Sequence, residues 1–165
     1  MSFDEASFRL VPVYRKVWFI RGQKPQGVFF WSNKKLCVFG ALTSEHNFHY
    51  EFYPAQNSFT FVMFLSTLST LIDQTRKYVF IFDNVGFHKT DVVRNFLYKH
   101  YKNIKVVYLP PYSPELNPIE TCWKITRAVI TNSTFFPTIG EMQSSLEAFW
   151  RRNSFMQDFT NYLCR

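Results

Sequence analysis

The strongest constraint on the fold is a short run of five apolar residues, YVFIF, at Tyr78–Phe82. Five residues are too few for an ordinary helix but enough for a strand, and a strand without polar alternation is buried on both faces. Such strands are typical of the interior of an α/β sheet, where helices cover both sides. Asp83 follows the run directly, and ligands in open α/β sheets gather at the carboxyl ends of strands. The run therefore predicts a layered α/β fold and draws attention to Asp83.

Other segments predict the remaining layers. Stretches rich in Phe, Val, Tyr and Trp predict further strands, at residues 3–10, about 17–21, 27–32, 35–42, 47–53 and 105–109. Apolar residues at helical spacing predict helices, which begin near Asn57, at Thr90 or Asp91, at Asn117, at Thr138 and near Phe155. The predicted inward faces include Leu71 in the first helix and Val129 in the third. This order predicts one α/β domain with helices packed on a sheet.

The charge balance favours a polyanionic partner. Nineteen Lys and Arg residues against twelve Asp and Glu give a net charge of +7, which favours nucleic acid over a membrane. The longest mainly apolar run, residues 59–65, is too short to span a bilayer, and acidic residues near Met1 argue against an export signal. Three distant cysteines without a CxxC pair predict reduced thiols and neither a zinc site nor a disulfide framework. We therefore expect a cytoplasmic protein.

Three carboxylates stand on three separate predicted elements. Asp83 closes the buried strand, Glu120 lies at the start of a predicted helix, and Asp4 lies in the first predicted strand. Oxygen ligands from several elements are what a protein needs to hold two Mg²⁺ ions against a phosphodiester. The three acids are therefore candidates for a metal site.

Two of these acids also have simple local explanations. Asp83 followed by Asn84 is common turn chemistry. Glu120 could complete a capping box with Asn117 as the N-cap, or it could pair with Lys124 one turn later. Capping and metal binding can coexist, because a carboxylate has two oxygens.

The first acid has a neighbour, Glu5. Adjacent residues of a strand point to opposite faces, so only one of Asp4 and Glu5 is expected to join a site, and alone the pair would be a solvated strand edge. His88, five residues after Asp83, could orient the site, contact a phosphate, or bond to backbone at a helix start.

Basic side chains follow Glu120 on the same predicted helix. Lys124 and Arg127 share one helix face, and Arg94 lies on the preceding helix. Each is most simply explained as a solvated charge. If Glu120 binds metal, Lys124 and Arg127 are placed to meet DNA phosphates.

Three motifs together resemble a known family. They are FDEASF near the start of the chain, DNVGFHKT after the buried strand, and LPPYSPELNPIETCW before the third helix. The combination resembles the catalytic domain of DDE transposases, the superfamily of mariner-like elements and related bacterial and archaeal insertion sequences. The resemblance extends from FDEASF to about Ile130, and the proline-rich loop leading to an acid and a Trp is its most specific part.

The resemblance implies a fold and a set of site residues. The implied fold is ribonuclease H-like, a mixed five-stranded sheet flanked by helices, in a single catalytic domain over residues 1–165. The implied catalytic and metal-binding residues are Asp4, Asp83 and Glu120, and not Glu115, because the acid of the family follows Asn-Pro-Ile. Residues expected to bind DNA or to support the site are Asn84, His88, Asn117, Lys124 and Arg127.

The resemblance also implies an activity. In the family two Mg²⁺ ions, for which Mn²⁺ can substitute, serve hydrolysis at the ends of the transposon and then strand transfer into a target, typically at TA. The implied partners are DNA and a second copy of the chain in a homodimer. Two alternatives stay open: a nuclease without strand transfer, and a catalytically silent fragment that binds DNA or dimerises.

One departure from the family pattern concerns the start of the chain. Family members carry a helix-turn-helix region before the first acid, whereas Asp4 is the fourth residue here. We expect that such a region is absent, or that a separate reading frame supplies it. The chain is then expected to bind DNA mainly through charge, in the prokaryotic cytoplasm at the nucleoid, with little sequence preference.

Overall fold

One mixed sheet organises the described part of the chain. The computed structural model describes residues 1–11, 22, 32–73, 75–132, 134–159 and 162. Its strands are β1 (Ser2–Arg9), β2 (Lys35–Leu42), β3 (Phe48–Tyr53), β4 (Tyr78–Phe82) and β5 (Ile104–Tyr108). They lie in the order β3-β2-β1-β4-β5. The pairs among β1, β2 and β3 are antiparallel, whereas β4 lies parallel to both β1 and β5. The apolar run is thus an interior strand, as predicted.

Four α-helices within the described residues cover the sheet. They are α1 (Ser58–Leu71), α2 (Asp91–His100), α3 (Pro118–Thr126) and α4 (Ile139–Arg152). Asn57 caps α1 in a capping box with Thr60, and the Thr138 hydroxyl accepts a hydrogen bond from the Glu141 N–H at the start of α4. Short 3₁₀ turns precede α2 and α3, at Gly86–Lys89 and Pro114–Leu116. None of the helices described here is long and apolar enough to cross a membrane.

Both faces of the sheet are buried, which β1 illustrates. Phe3 joins the core beneath α1 and α2, whereas Ala6 and Phe8 join the core beneath α3 and α4. The two-residue alternation of a strand explains this division. On the first face the Phe3 ring centre lies 4.8 Å from that of Phe80 and 5.0 Å from that of Phe82. A strand buried on both faces holds its polar residues in a fixed position, and Asp4 is one of them.

Most predicted elements are confirmed, with three corrections. Leu71 and Val129 are each 59% exposed and do not face the core. Val129 lies in a π turn, Arg127–Thr131, that continues α3 with a wider period and rotates the predicted inward face away. Residues 155–158 are not helical, although Phe155 is buried as predicted. The strands predicted at about 17–21 and 27–32 lie outside the described residues, apart from Ser32, which is not in a strand.

A glycine in β2 determines how closely α3 approaches the sheet. A Cβ at Gly40 would lie 2.7 and 2.8 Å from two ring carbons of Trp123, and 3.0 Å from Ile119. Both of these α3 residues are fully buried. Because Gly40 is also the β2 partner of Asp4, this contact sets the height of α3 above that carboxylate.

Gly40→Ala is expected to destabilise the fold by about 1–3 kcal/mol, because the added methyl overpacks the contact with Trp123. Chemical denaturation should show the loss as a lower midpoint. The matched control is Gly140→Ala in α4, where a Cβ would meet nothing closer than 3.9 Å. That substitution should be neutral or stabilising by up to about 1 kcal/mol. Equal stability of the two variants would contradict the packing argument.

Candidate active site

The sheet register brings two of the predicted acids to one level. Ser2 of β1 is opposite Ile81 of the parallel strand β4. Asp4 and Asp83 each lie two residues further along, so they stand next to each other where β4 ends. Asp4 is only 8% exposed, and Asp83 is half-buried. The carboxyl end of β4 therefore brings together two of the three acids that the sequence offers as candidates.

The start of α3 brings the third acid to the same place. The Asn117 side chain accepts a hydrogen bond from the Ser2 hydroxyl and donates one, of 3.1 Å, to the carbonyl of Phe3. Ser2 Oγ in turn accepts from the backbone N–H of Ile119, at 3.3 Å. Strand β1 therefore supplies the cap of α3, and Glu120 follows directly after this anchored turn.

The capping box predicted for Glu120 is wrong. Asn117 occupies the N-cap position, but its side chain makes no cap hydrogen bond. Its backbone N–H donates to the carbonyl of Pro114, at 3.1 Å, where a capping box would require the Glu120 carboxylate. In the described part of the chain no ion pair joins Glu120 to Lys124. Neither local explanation occupies the Glu120 carboxylate.

Asp4, Asp83 and Glu120 line one cavity of about 490 Å³. Asn84 and Asn117 also line it, as does the proline-rich loop after β5. Within that loop Tyr112 is fully exposed and has a φ of 57°. The floor of the cavity is therefore acidic, and its rim carries an aromatic side chain in a loop stiffened by prolines.

Burial and neighbouring acids raise the pKa of two carboxyl groups at the site, Asp4 and Glu5. Burial raises the pKa of Asp4 well above its ordinary value, and the negative charges of Glu120, Glu5 and Asp83 raise it further. Burial raises the pKa of Glu5 to about 7; His88 opposes this shift, and the charges of Asp83 and Glu120 add to it. Negative charges held together in a partly buried site favour the binding of a cation or of a proton.

His88 lies between two of the acids, on the α1–α2 side of the sheet. Its Nδ1 is 2.7 Å from Asp83 Oδ1, and its Nε2 is 3.6 Å from Glu5 Oε2. The ring is completely buried against Phe61 and Phe87, with ring centres 4.3 and 4.4 Å away. Burial leaves His88 no access to a phosphate, so of its predicted roles only orientation of the site fits this position.

The remaining residues predicted to support the site, Asn84, Lys124 and Arg127, lie around it but do not share one surface. Asn84 accepts a hydrogen bond from the Lys89 ammonium group. Lys124 is exposed on α3, outside the cavity lining. The Arg127 guanidinium carbon lies 5.6 Å from the centre of the Phe8 ring, so this side chain takes part in packing.

Four residues near the site were not assigned a role from the sequence. Glu5 faces the opposite side from Asp4, as strand alternation predicts, yet Asp83 at the strand end is close to both. Lys89 reaches the cavity only through Asn84. Ser2 and Tyr112 carry no local signal, although the left-handed backbone of Tyr112 is uncommon for a residue other than glycine.

Three acids surround one cavity: one in a buried strand, one at the end of a strand and one at the start of a helix. This arrangement is typical of the class of sites that hold divalent cations against phosphate groups. Residues 1–143 match the family described as DDE superfamily endonuclease. Since this match covers most of the chain, the protein belongs to the DDE superfamily endonucleases. It is a DDE transposase catalytic domain, which is an enzyme of the nuclease class.

Two curated relatives agree with this assignment. The chain is 28% identical over 131 residues to an uncharacterized 39 kDa protein of insertion element IS630 from Shigella sonnei, covering 79% of this chain and 38% of that protein. It is 29% identical over 121 residues to the transposable element Tc3 transposase from Caenorhabditis elegans, covering 70% and 36% respectively. The chain therefore matches little more than a third of the length of these relatives.

Solved structures of the Mos1 transposase share the fold. A pre-cleavage Mos1 transpososome matches 98% of this chain and 51% of that chain, with a TM-score of 0.78 and 18% identity. A mariner Mos1 paired end complex with Mg matches 98% and 50%, with a TM-score of 0.74 and 18% identity. This likeness confirms the predicted ribonuclease H-like fold.

Proposed function

We propose that residues 1–165 act as one catalytic domain that cuts DNA at transposon ends and transfers the cut strand into a target. The observation that carries the proposal is the convergence of Asp4, Asp83 and Glu120 on one cavity. In the described structure the Asp4 carboxylate accepts a hydrogen bond from the backbone of Glu5, and no side-chain hydrogen bond or ion pair engages the Glu120 carboxylate. The contacts of Asp83 with His88 and Val85 use Oδ1. Membership of a DDE endonuclease family supports the same assignment.

The residues present fit divalent cations. The carboxylates supply hard oxygen ligands, and the pKa of Asp4 is raised by burial first and then by repulsion from the other acids, which a cation would relieve. Asp4, Asp83 and Glu120 would hold two Mg²⁺ ions, with Mn²⁺ as a substitute. Bound there, the ions would supply a Lewis acid for the phosphodiester and lower the pKa of the attacking water or 3′-hydroxyl. The burial of Asp4 and the anchored turn before Glu120 keep these ligands in place.

The proposed substrate is DNA. A net charge of +7 favours a polyanion, and Lys89 and Lys124 lie near the acidic site on different elements. The family resemblance adds a TA target, a homodimer on paired ends, and action at the prokaryotic nucleoid. These details extend the proposal beyond the catalytic chemistry.

The decisive experiment joins metal binding to catalysis. Calorimetric titration with Mn²⁺ is expected to show binding by the wild type, with or without a DNA end, and none by Asp83→Ala. A pre-cleaved transposon end with its 3′-hydroxyl, incubated with target plasmid and Mn²⁺, should give joined products. Cleavage without joining would reassign the domain as a nuclease. A folded wild type that binds no metal, even with DNA present, would overturn the proposal.

Binding to DNA is expected to depend steeply on salt. If about four phosphates are neutralised, affinity should fall roughly 100-fold between 50 mM and 200 mM salt. Fluorescence anisotropy with duplexes of unrelated sequence should give similar affinities, because phosphate contacts carry no sequence information. Tight binding to one sequence that resists salt would contradict this expectation.

A further inference from the structure

One buried side chain next to the acidic site lacks an explanation in packing alone. His88 has no exposed surface, and neither of its nitrogens has a partner with hydrogen-bonding geometry in the described structure. Glu5 Oε2 is likewise buried without such a partner. An apolar ring would pack equally well against the surrounding phenylalanines and would leave no polar atoms unpaired. The imidazole therefore has a polar function there.

The contacts of His88 indicate what that function is. Nδ1 lies 2.7 Å from Asp83 Oδ1, close enough to attract the carboxylate although the angle is not that of a hydrogen bond. The Val85 N–H also donates to this same oxygen, at 3.4 Å. Both contacts involve Oδ1, and Asp83 lines the cavity, which leaves Oδ2 as the oxygen that these contacts do not engage. On the other side of the ring, the carboxyl group of Glu5 faces Nε2, at 3.6 Å.

We propose that His88 and Glu5 form a positioning pair for Asp83. His88 holds Oδ1 on the α1–α2 side of the sheet, so that Oδ2 is presented to the cavity shared with Asp4 and Glu120. Glu5 fixes the ring from the opposite edge, while Phe61 and Phe87 prevent it from turning. This inference rests on the proposed metal site and adds two residues that act through Asp83 without touching the substrate.

The test uses substitutions that separate ring packing from the polar contact. His88→Phe keeps an aromatic ring among the phenylalanines but removes both nitrogens. His88→Asn places an amide N–H near the position of Nδ1 and so keeps the group that faces Asp83. Mn²⁺ affinity of the full chain is measured by calorimetry, and folding is measured by thermal denaturation.

His88→Phe is expected to weaken Mn²⁺ binding by about 10–100-fold, the usual effect of losing a residue that orients a metal ligand. His88→Asn should bind within a fewfold of the wild type, even if it is less stable because it fills less of the apolar space. Wild-type affinity in a folded His88→Phe variant would overturn the inference and leave the proposed function intact. Failure of the wild type to bind metal, with and without DNA, would overturn the proposed function itself.

A second readout does not depend on the folding of His88→Phe. In protein labelled with ¹⁵N at histidine, Mg²⁺ is expected to shift the His88 ring nitrogen signals, which His88→Asn identifies by their absence. The shift should disappear in Asp83→Asn. If saturating Mg²⁺ leaves these signals unchanged in the wild type, metal binding at Asp83 does not affect the His88 ring. That result would overturn the positioning role.

A different observation carries a second inference, at the rim of the cavity. Tyr112 is fully exposed, and its backbone adopts a left-handed conformation at φ 57°, which costs a residue other than glycine free energy. Pro111 precedes it and Pro114 follows closely, so the loop has little freedom to relax. An aromatic side chain held in water beside the acids has apolar area available for a flat ligand.

We infer that Tyr112 is a stacking platform for a nucleobase next to the bond that is cut. This inference also rests on the proposed function. A DNA end with 2-aminopurine beside the cleavage position reports stacking as quenched fluorescence. Quenching is expected with the wild type and with Tyr112→Phe, and it should be lost with Tyr112→Ala.

The matched control is Tyr98→Ala, because Tyr98 is 90% exposed on α2 and does not line the cavity. It should quench like the wild type. Equal quenching by Tyr112→Ala and the wild type, at saturating DNA, would overturn the stacking inference. Retained salt-dependent DNA binding in the same titration would leave the proposed function standing.

Discussion

Glu120→Gln is expected to abolish metal-dependent DNA cleavage while making the metal-free protein more stable. Glutamine keeps the shape of the side chain but removes one anionic ligand, and loss of several kcal/mol of transition-state stabilisation lowers the rate at least ~1000-fold. Without metal, the same change removes the carboxylate whose charge most strongly raises the pKa of Asp4. Relief of that repulsion should add about 1 kcal/mol to the free energy of unfolding near neutral pH.

Plasmid nicking with Mn²⁺ and urea denaturation in EDTA measure the two effects. Glu115→Gln is the matched control, because Glu115 lies five residues earlier in the same motif, is exposed, and does not line the cavity. It should change neither property appreciably. If Glu120→Gln cleaves as well as Glu115→Gln does, Glu120 is not the third acid of the site.

The metal-free protein is expected to lose stability as pH rises from about 4.5 to 7. Glu5 has an ordinary pKa of 4.5, and burial raises it to about 7 in the folded protein. Over this interval the folded state binds the proton more tightly than the unfolded state, so ionisation opposes folding. The shift corresponds to about 3 kcal/mol, fully lost above pH 7, and the raised pKa of Asp4 acts in the same direction.

Urea denaturation at pH 5 and pH 8, in EDTA, measures this loss. Glu5→Gln cannot ionise, so it should be more stable than the wild type at pH 8 by up to about 3 kcal/mol, and nearly equal to it at pH 5. Mg²⁺ should restore wild-type stability at pH 8, since it replaces the protons that the acids have lost. The argument fails if the wild type and Glu5→Gln show the same pH dependence.

Much of the fold could be predicted because its signals are local. The apolar run Tyr78–Phe82 predicted a buried interior strand, and the caps at Asn57 and Thr138 predicted the starts of α1 and α4. Phe155 shows the limit of such signals. It is buried with its ring centre 5.0 Å from that of Phe48, yet it is not in a helix. Its apolar character reports tertiary packing, which helical spacing alone cannot distinguish from an amphipathic helix.

The convergence of the three candidate acids could be predicted from the sequence, whereas the contacts that surround them could not. Asp4, Asp83 and Glu120 follow from the motifs, and the structure brings all three to one cavity. The role of Asn117 did not follow, because a cap within its own turn is the simplest local choice, whereas its actual partner is Ser2. The proximity of Glu5 to His88 was missed because strand alternation excludes Glu5 from the face of Asp4. That rule does not cover Asp83, which lies beyond the end of its strand.

The hydrogen bonds between β1 and the start of α3 have a consequence for the order of folding. Ser2 and Asn117 are separated by 115 positions, so this contact closes a very large loop and belongs to the slow, non-local part of the folding process. A nascent chain that ends before α3 can form β1, β2 and β4, with two of the acids, but it lacks the third. The complete acidic cluster therefore arises only after Glu120 has been synthesised and the distant segments of the domain have met.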